Sequence, residues 1–322
     1  MGIADRPQIS ILMATYEPRL DWLKEQLLSL NAQNYPTLRL YIRDDASRAV
    51  PLEKIRALAE TCITRFPFTI AQNTENLGSN RTFEFLTKEA DGGYFAYCDQ
   101  DDIWLPEKLS VLQESLEQSG SKLICSDMYV IDGDGKQIAD NIHKARHTVT
   151  LLAGDGLADG LLFHNFVTGC TTLIRAEDAK AALPFCPYYV HDQHLAIWCA
   201  DRGRIESLKK PLIRYRIHDE NQTAQLIGVH DKSSYEDMRI TLTRNRLEWL
   251  RDHMQMSEDL RKTVETGIVW TKARQQNWNR RGGRGTVWKY RKYSMVPALF
   301  ELTCNWLPES VFKKLIDFGK RI

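Results

Sequence analysis

The stretch Gly93-Tyr94-Phe95-Ala96-Tyr97-Cys98-Asp99-Gln100-Asp101-Asp102-Ile103-Trp104 decides how this chain is read. Its first six residues are aromatic or small and uncharged, as in a buried strand of an α/β sheet. Three carboxylates follow within four residues, and Pro106 then opens a helical pattern carried by Leu109, Leu112 and Leu116, proline being favoured in a first helical turn. The acids therefore stand at the carboxyl end of a strand, where open α/β sheets bind ligands. Mg²⁺ and Mn²⁺ prefer oxygen ligands, and Mg²⁺ usually takes one or two carboxylates together with substrate phosphates. A solvated turn that caps the next helix is the plainer alternative, so the neighbouring sequence has to choose.

Upstream, Ile9 to Ala14 reads as a strand, with Leu20, Leu23, Leu27, Leu28 and Leu30 following at helical spacing. Leu38 to Arg43 alternates as a second strand, a helix is expected from about Leu52 to Phe66, Phe68-Thr69-Ile70 is a brief third strand, and residues 79–90 are helical. This order predicts a parallel, doubly wound sheet with right-handed crossovers. Downstream of Leu123-Ile124-Cys125-Ser126, the stretch Met128 to Ile138 predicts a hairpin closed by Asp-Gly turns. Asp132-Gly133-Asp134 lacks the later ligand positions of a calcium loop. An amphipathic helix is expected over 150–163. Further strands are expected at Gly169–Ile174, Gly203–Ser207 and Leu212–Ile217, and a long helix from Ser234 to about Met254.

A chain of 322 residues holds one large α/β domain with additions or two smaller ones. Its seven cysteines are odd in number and form no CxxC pair, which favours a reducing cytoplasm over a disulfide framework or zinc site. Residues Met1 to Pro7 show no apolar secretory core, and no run is long enough to span a bilayer. Charge is divided along the chain: residues 271–322 carry twelve Lys or Arg against three Asp or Glu. Aromatics, among them Trp278, Trp288, Trp306 and Phe318, lie between these cations. The expectation is a peripheral contact of 271–322 with the inner face of the plasma membrane, and no nucleic-acid partner. A cap packed on the catalytic domain, or a homodimer contact, is the alternative.

Seven elements in order, Met13-Ala14-Thr15-Tyr16, Asp44-Asp45-Ala46-Ser47, Asn76-Leu77-Gly78-Ser79-Asn80, Asp99-Gln100-Asp101-Asp102, Thr168-Gly169-Cys170, His191-Asp192 and Tyr215-Arg216-Ile217-His218, resemble the family 2 glycosyltransferases. The closing segment, continued by Asp219-Glu220-Asn221, looks most like the rhamnosyltransferase type of bacterial surface polysaccharide assembly. The resemblance implies the GT-A fold, a Rossmann-like, mostly parallel α/β sheet flanked by helices. It also implies inverting, metal-dependent transfer from a dTDP- or UDP-sugar to a glycan or lipid-linked acceptor. Residues 1–225 would form that domain and residues 226–322 a basic helical extension.

Chemistry suggests a role for each residue. Asp44 or Asp45 can accept a pyrimidine N–H while Tyr16 covers the ring and the backbone near Thr15 and Glu17 borders it. Asn76, Gly78, Asn80 and Arg81 suit ribose and phosphate oxygens at a helix start. Asp101 is expected at ribose and metal, Asp102 as the nearest ligand of Mn²⁺ or Mg²⁺, His218 as an additional ligand, Asp99 as the residue that organises the loop or reaches the ion through water, and Asp99 and Gln100 at the donor. Attack by an acceptor hydroxyl needs a base opposite the leaving diphosphate, and Asp192 fits that need. His191 and Trp104 are the candidates to face the acceptor. Two other classes compete. A haloacid-dehalogenase phosphatase would also place Asp99-Gln100-Asp101 after a strand but needs a Ser or Thr and a Lys on later strand ends, and a non-catalytic sugar-binding module would keep the donor contacts without Asp192.

Overall fold

The computed structural model describes residues 6–218 and 228–319. These fall into two compact units, residues 6–158 with 166–218, and residues 159–165 with 228–319. The expected boundary at 225, and the segment Asp219-Glu220-Asn221, lie outside the described residues.

The first unit is built on one sheet of nine strands: β1 (Ile9–Thr15), β2 (Leu38–Asp44), β3 (Phe68–Gln72), β4 (Tyr94–Cys98), β5 (Ile103–Trp104), β6 (Leu123–Ile131), β7 (Gln137–Ala139), β8 (Thr172–Arg175) and β9 (Ile205–Arg216). Their order is β3-β2-β1-β4-β8-β6-β9-β5, with β7 hairpinned onto β6. Helices α1 (Leu20–Asn31), α2 (Leu52–Cys62), α3 (Ser79–Glu89) and α4 (Lys108–Ser119) connect the early strands. The short α5 (Ile142–Ala145), then α6 (Ala158–Leu161), of which all but Ala158 belongs to the second unit, the short α7 (Ala176–Ala181) and the longer α8 (His191–Arg202) follow along the chain. β1, β2, β3 and β4 run parallel, as the strand-helix alternation predicts. β8 enters antiparallel between β4 and β6.

Because β2 lies on one side of β1 and β4 on the other, the carboxyl ends of β1 and β4 form the switch point at which such sheets bind ligands. Thr15, Asp44 and Cys98, the last residues of β1, β2 and β4, all end on this edge. Ile9, Ile11, Leu40, Ile42, Ala96 and Cys98 are almost fully buried, so the edge rests on a packed core and its side chains are held in register.

Several expected elements are redrawn. Only Ala158–Leu161 of the 150–163 segment is helical, because Gly154 and Gly156 adopt φ of +133° and +70°, outside the helical region. Gly169–Thr171 is a turn of 3₁₀ helix before β8, not strand. The two strands expected at 203–207 and 212–217 are one, β9; Lys209 and Lys210 bulge where Asp127 pairs with Pro211. The Asp132 carboxylate is taken by the backbone N–H groups of Asp134 (3.0 Å) and Lys136 (2.9 Å), so it shapes the hairpin turn.

The second unit is helical: α9 (Lys232–Tyr235), running through a π-helical stretch at Glu236–Thr241 into α10 (Leu242–His253), then α11 (Glu258–Trp278), α12 (Arg284–Lys289), α13 (Met295–Cys304) and α14 (Glu309–Gly319). Tyr235, Trp278 and Phe312 form one core cluster and Trp270, Val287, Ala298 and Leu302 another. Arg274 and Glu301, both almost fully buried, pair at 2.5 Å. Among the described residues no helix is long and apolar enough to cross a membrane, and all seven cysteines are free.

Candidate active site

The acidic loop is suspended between β4 and β5. Because β5 pairs with β9, Asp101 and Asp102 are drawn against the end of β9. Asp102 is fully buried; its Oδ1 accepts the Arg216 backbone N–H at 3.0 Å, while Oδ2 has no hydrogen-bond donor among the described residues. Asp101 Oδ2 lies 2.8 Å from His218 Nε2, and the His218 ring packs 4.9 Å from Trp22. Across the switch point, Gln100 and Tyr16 exchange two bonds, Tyr16 N–H to Oε1 at 2.8 Å and Nε2 to the Tyr16 carbonyl at 3.1 Å. Tyr16 itself is 49 % exposed, its ring turned out beside this clasp.

Asp192 reaches the same place through a short turn. Its Oδ2 accepts the Gly169 N–H at 2.9 Å, and the next residue, Cys170, offers a ligand atom within 4.8 Å of carboxylate oxygens of Asp99 and Asp102. Burial, then the charges of Asp101 and Asp192, push the Asp99 carboxyl up to about 7. Asp102 is raised for the same first reason, burial, followed by Asp101 and Asp99. Carboxyls crowded in this way, one with an unbonded buried oxygen, suit a hard divalent cation, which would favour their charged forms. The Cys170 thiol is the poor member of that set for such an ion. Among the described residues, Asp99 and Asp102, with the Cys170 thiol beside them, are the groups whose ligand atoms lie close enough to share an ion, whereas Asp101 is paired with His218.

Glycine is needed at 169. A Cβ built there would stand 2.6 Å from His191 Nε2, and His191 cannot retreat because its ring is packed 4.1 Å from Phe83 and 4.9 Å from Tyr97. Gly169→Ala is therefore expected to push the first turn of α8 away, lowering stability by about 1–3 kcal/mol and turnover by at least about tenfold. Thermal melts and a rate assay check this, and a variant equal to the parent in both would refute the packing argument.

Other expected site residues are occupied by protein partners. Asp44 accepts from Thr15 Oγ1 (3.1 Å), from Ser47 N–H (2.9 Å) and Oγ (2.6 Å), and from the exposed Gln72 amide (2.9 Å). Asp45 accepts from Asn73 (2.7 Å) and the N–H groups of Leu77 (2.9 Å) and Gly78 (2.8 Å), which fixes the 76–80 loop. Gly78 takes φ +81° at the start of α3. Glu17 collects the N–H groups of Arg48, Ala49 and Val50, and those bonds lower its pKa. It staples the start of α2. Asn80 donates to the Cys186 carbonyl while its Oδ1 is buried with no partner among the described residues, Arg81 pairs with Glu84, and Asn76 is exposed.

Two expectations are corrected. Trp104 is 1 % exposed and packed in the core under the Lys108 ammonium, so it supports the acidic loop from below and has no surface to offer an acceptor. His191 is 8 % exposed and burial holds its pKa down at about 3, so it is a neutral packing ring behind Asp192. Three residues that the sequence reading had not assigned to the site also emerge. Arg216, 1 % exposed, ties β9 to the acidic loop. Lys108 donates to the Cys170 carbonyl at 2.6 Å, its pKa brought to about 7 by burial. The thiol of Cys170 completes the group. A lysine at the i−4 and i−8 positions of the Leu112 and Leu116 stripe was the available signal for Lys108.

The sheet order and the carboxylates at the ends of its strands are those of the GT-A fold, which its solved neighbours share. The comparisons with known proteins agree. The family model for glycosyl transferase family 2 matches residues 10–180, and the chain belongs to that family. It is a glycosyltransferase, and the phosphatase alternative falls. A dTDP-rhamnosyl transferase, RfbG, of Shigella flexneri is 25 % identical over 257 residues, 74 % of this chain and 81 % of that protein. An uncharacterised glycosyltransferase of Nostoc is 25 % identical over 217 residues, 66 % of each chain. Among solved structures, S. aureus TarS 1–349 in complex with UDP-GlcNAc superposes with a TM-score of 0.61 at 13 % identity, over 97 % of this chain and 92 % of that one. A mannosyltransferase of Pyrobaculum calidifontis in complex with GDP-Man and Mn²⁺ gives 0.55 at 14 % identity, over 98 % and 86 %.

Proposed function

We propose that this chain catalyses inverting, metal-dependent transfer of a sugar, rhamnose being the first candidate, from a dTDP- or UDP-sugar to a glycan or lipid-linked acceptor on the cytoplasmic side. The observation that carries the reading is the Gly169-Cys170 turn, whose one residue holds Asp192 while the next stands among Asp99 and Asp102. This supports a reading in which Asp192 acts as proton acceptor next to carboxylates that face the diphosphate. The rhamnosyl name of the Shigella relative motivates the donor.

In this reading Tyr16 covers the pyrimidine, and the base N–H takes the place of the exposed Gln72 amide on Asp44 Oδ2. Asp45, Thr15 and Glu17 shape the walls by holding backbone, and Asn76, Gly78, Asn80 and Arg81 border ribose and phosphate. Asp192 accepts the proton of the acceptor hydroxyl as its oxygen bonds to the anomeric carbon. The bond from that carbon to the diphosphate oxygen breaks on the opposite face, and the electron pair leaves with the nucleoside diphosphate. Mn²⁺ or Mg²⁺ held by Asp101, Asp102 and His218 would neutralise charge on the departing diphosphate. The first unit, residues 6–158 with 166–218, would carry this chemistry.

A donor panel tests the proposal. At a hundredfold excess over Kd, a ligand specific for the native form adds about 2.7 kcal/mol, which predicts a rise of at least about 5 °C in melting temperature. That rise is expected with dTDP- or UDP-sugar plus Mn²⁺, is not expected with GDP-sugar, and should be accompanied by slow release of nucleoside diphosphate. Binding without release under any acceptor would favour the non-catalytic module.

A further inference from the structure

The second unit presents a set of apolar side chains that its own cores do not use. In α14, Phe312 and Ile316 are buried while Val311, Leu315 and Phe318, spaced i, i+4, i+7, are 42 %, 42 % and 66 % exposed. The helix is therefore apolar on two sides, one inside and one facing water. α13 repeats the pattern: Ala298 and Leu302 are buried, and Met295, Val296 and Leu299 are 56 %, 80 % and 42 % exposed. Trp288 and Trp306 are more than half exposed, each with a guanidinium over its ring, Arg291 at 4.1 Å and Arg280 at 5.8 Å. Single exposed apolar residues are ordinary, but two amphipathic stripes and two tryptophans within some thirty residues are not.

Charge identifies what would cover these stripes. Lys313 and Lys314 are exposed on α14 next to Leu315, and Lys292 is exposed just ahead of α13. Of the three acids in residues 271–322, Glu301 is buried against Arg274, and Glu309 and Asp317 are exposed on α14 beside Lys313 and Lys314, so the surplus of positive charge comes from the exposed Arg281, Lys289 and Lys292 ahead of α13. A second copy of the chain, joined about a two-fold axis through this surface, would bring like-charged faces together. An anionic bilayer offers negative headgroups to the lysines and an apolar layer to the stripes, and tryptophan favours that boundary. We infer that α13 and α14 dock the protein on an anionic lipid surface, with Leu315, Phe318 and Val296 entering the headgroup boundary and Lys313 and Lys314 meeting the lipid charge. The inference is independent of donor and metal, so the failure of either leaves the other standing.

Co-sedimentation of the full chain with phosphatidylcholine vesicles, with and without about a third phosphatidylglycerol, tests it. The parent is expected to bind the anionic vesicles at least about tenfold more tightly than the neutral ones, with binding weakened by salt. Leu315→Ser/Phe318→Ser and Lys313→Glu/Lys314→Glu are each expected to lose about tenfold in binding, while release of nucleoside diphosphate from the donor in solution, without vesicles, is unchanged. These positions are exposed, and a melt confirms that the variants fold. Equal binding to both vesicle types, binding that survives both double substitutions, or a dimer in light scattering that the apolar pair abolishes would each overturn the proposal.

Discussion

Asp192→Asn is expected to lower turnover by about a hundred- to ten-thousand-fold, the range that a positioned general base contributes, while changing the melting temperature and donor affinity little. The expectation rests on what the amide keeps. Asparagine has the same shape, and its oxygen still accepts the Gly169 N–H that Asp192 Oδ2 now takes at 2.9 Å, so the turn beside Asp99 survives. It loses only the basicity. A helix-capping role would predict the opposite balance, with stability lost and rate little affected. The geometry speaks against capping, since Val190 is the residue before α8 and Asp192 lies inside the first turn. Steady-state rates with saturating donor, together with a melt, decide it. A variant within about threefold of the parent rate would remove Asp192 from the mechanism.

How much of this was readable in the chain depended on distance along it. The acids after β4, the Asp44-Asp45 pair and the loop into α3 are each local, a strand end followed by a helix start, and a short window of sequence is enough to find them. What their side chains bind was not readable, because the partners arrive from elsewhere: Asp44 is filled from Thr15 and Gln72, about thirty residues away on either side. Trp104 shows the same limit. Beside three carboxylates an aromatic looks like a sugar platform, but β5 pairs with β9, more than a hundred residues later, and that pairing turns the indole into the core. The break expected near 208–211 was a bulge, since two exposed lysines in a strand resemble a loop until the partner strand is known. Gly154 and Gly156, with φ of +133° and +70°, break the helix expected over 150–163, and glycine in a helical pattern is the local signal for that break.

Arg216 is the clearest case of a residue whose importance only the assembled fold exposes, and its substitution carries the second large effect. Its Nε donates to the Asp101 carbonyl at 2.8 Å, Nη1 to the carbonyls of Asp132 (3.2 Å) and Gly133 (3.1 Å), and Nη2 pairs with Glu25 at 2.6 Å. One planar group thus joins the acidic loop, the β6-β7 turn and α1. A lysine keeps the charge, but a single ammonium cannot reach acceptors lying in these separate directions. Glu25 is about half exposed, so the ion pair itself is worth little. The cost comes from the carbonyls left without donors, about 1–3 kcal/mol for each that water cannot reach. Arg216→Lys is therefore expected to lose roughly 2–4 kcal/mol of stability and at least about a hundredfold in turnover. Glu25→Gln should stay within about 0.5 kcal/mol. A purely structural role would lower the melting point and leave the Mn²⁺ concentration for half-maximal rate unchanged, whereas a strap on Asp101 and Asp102 raises that concentration. Should Arg216→Lys show the parent's rate and metal requirement below its melting point, the acidic loop is held by its own backbone and the guanidinium is incidental to catalysis.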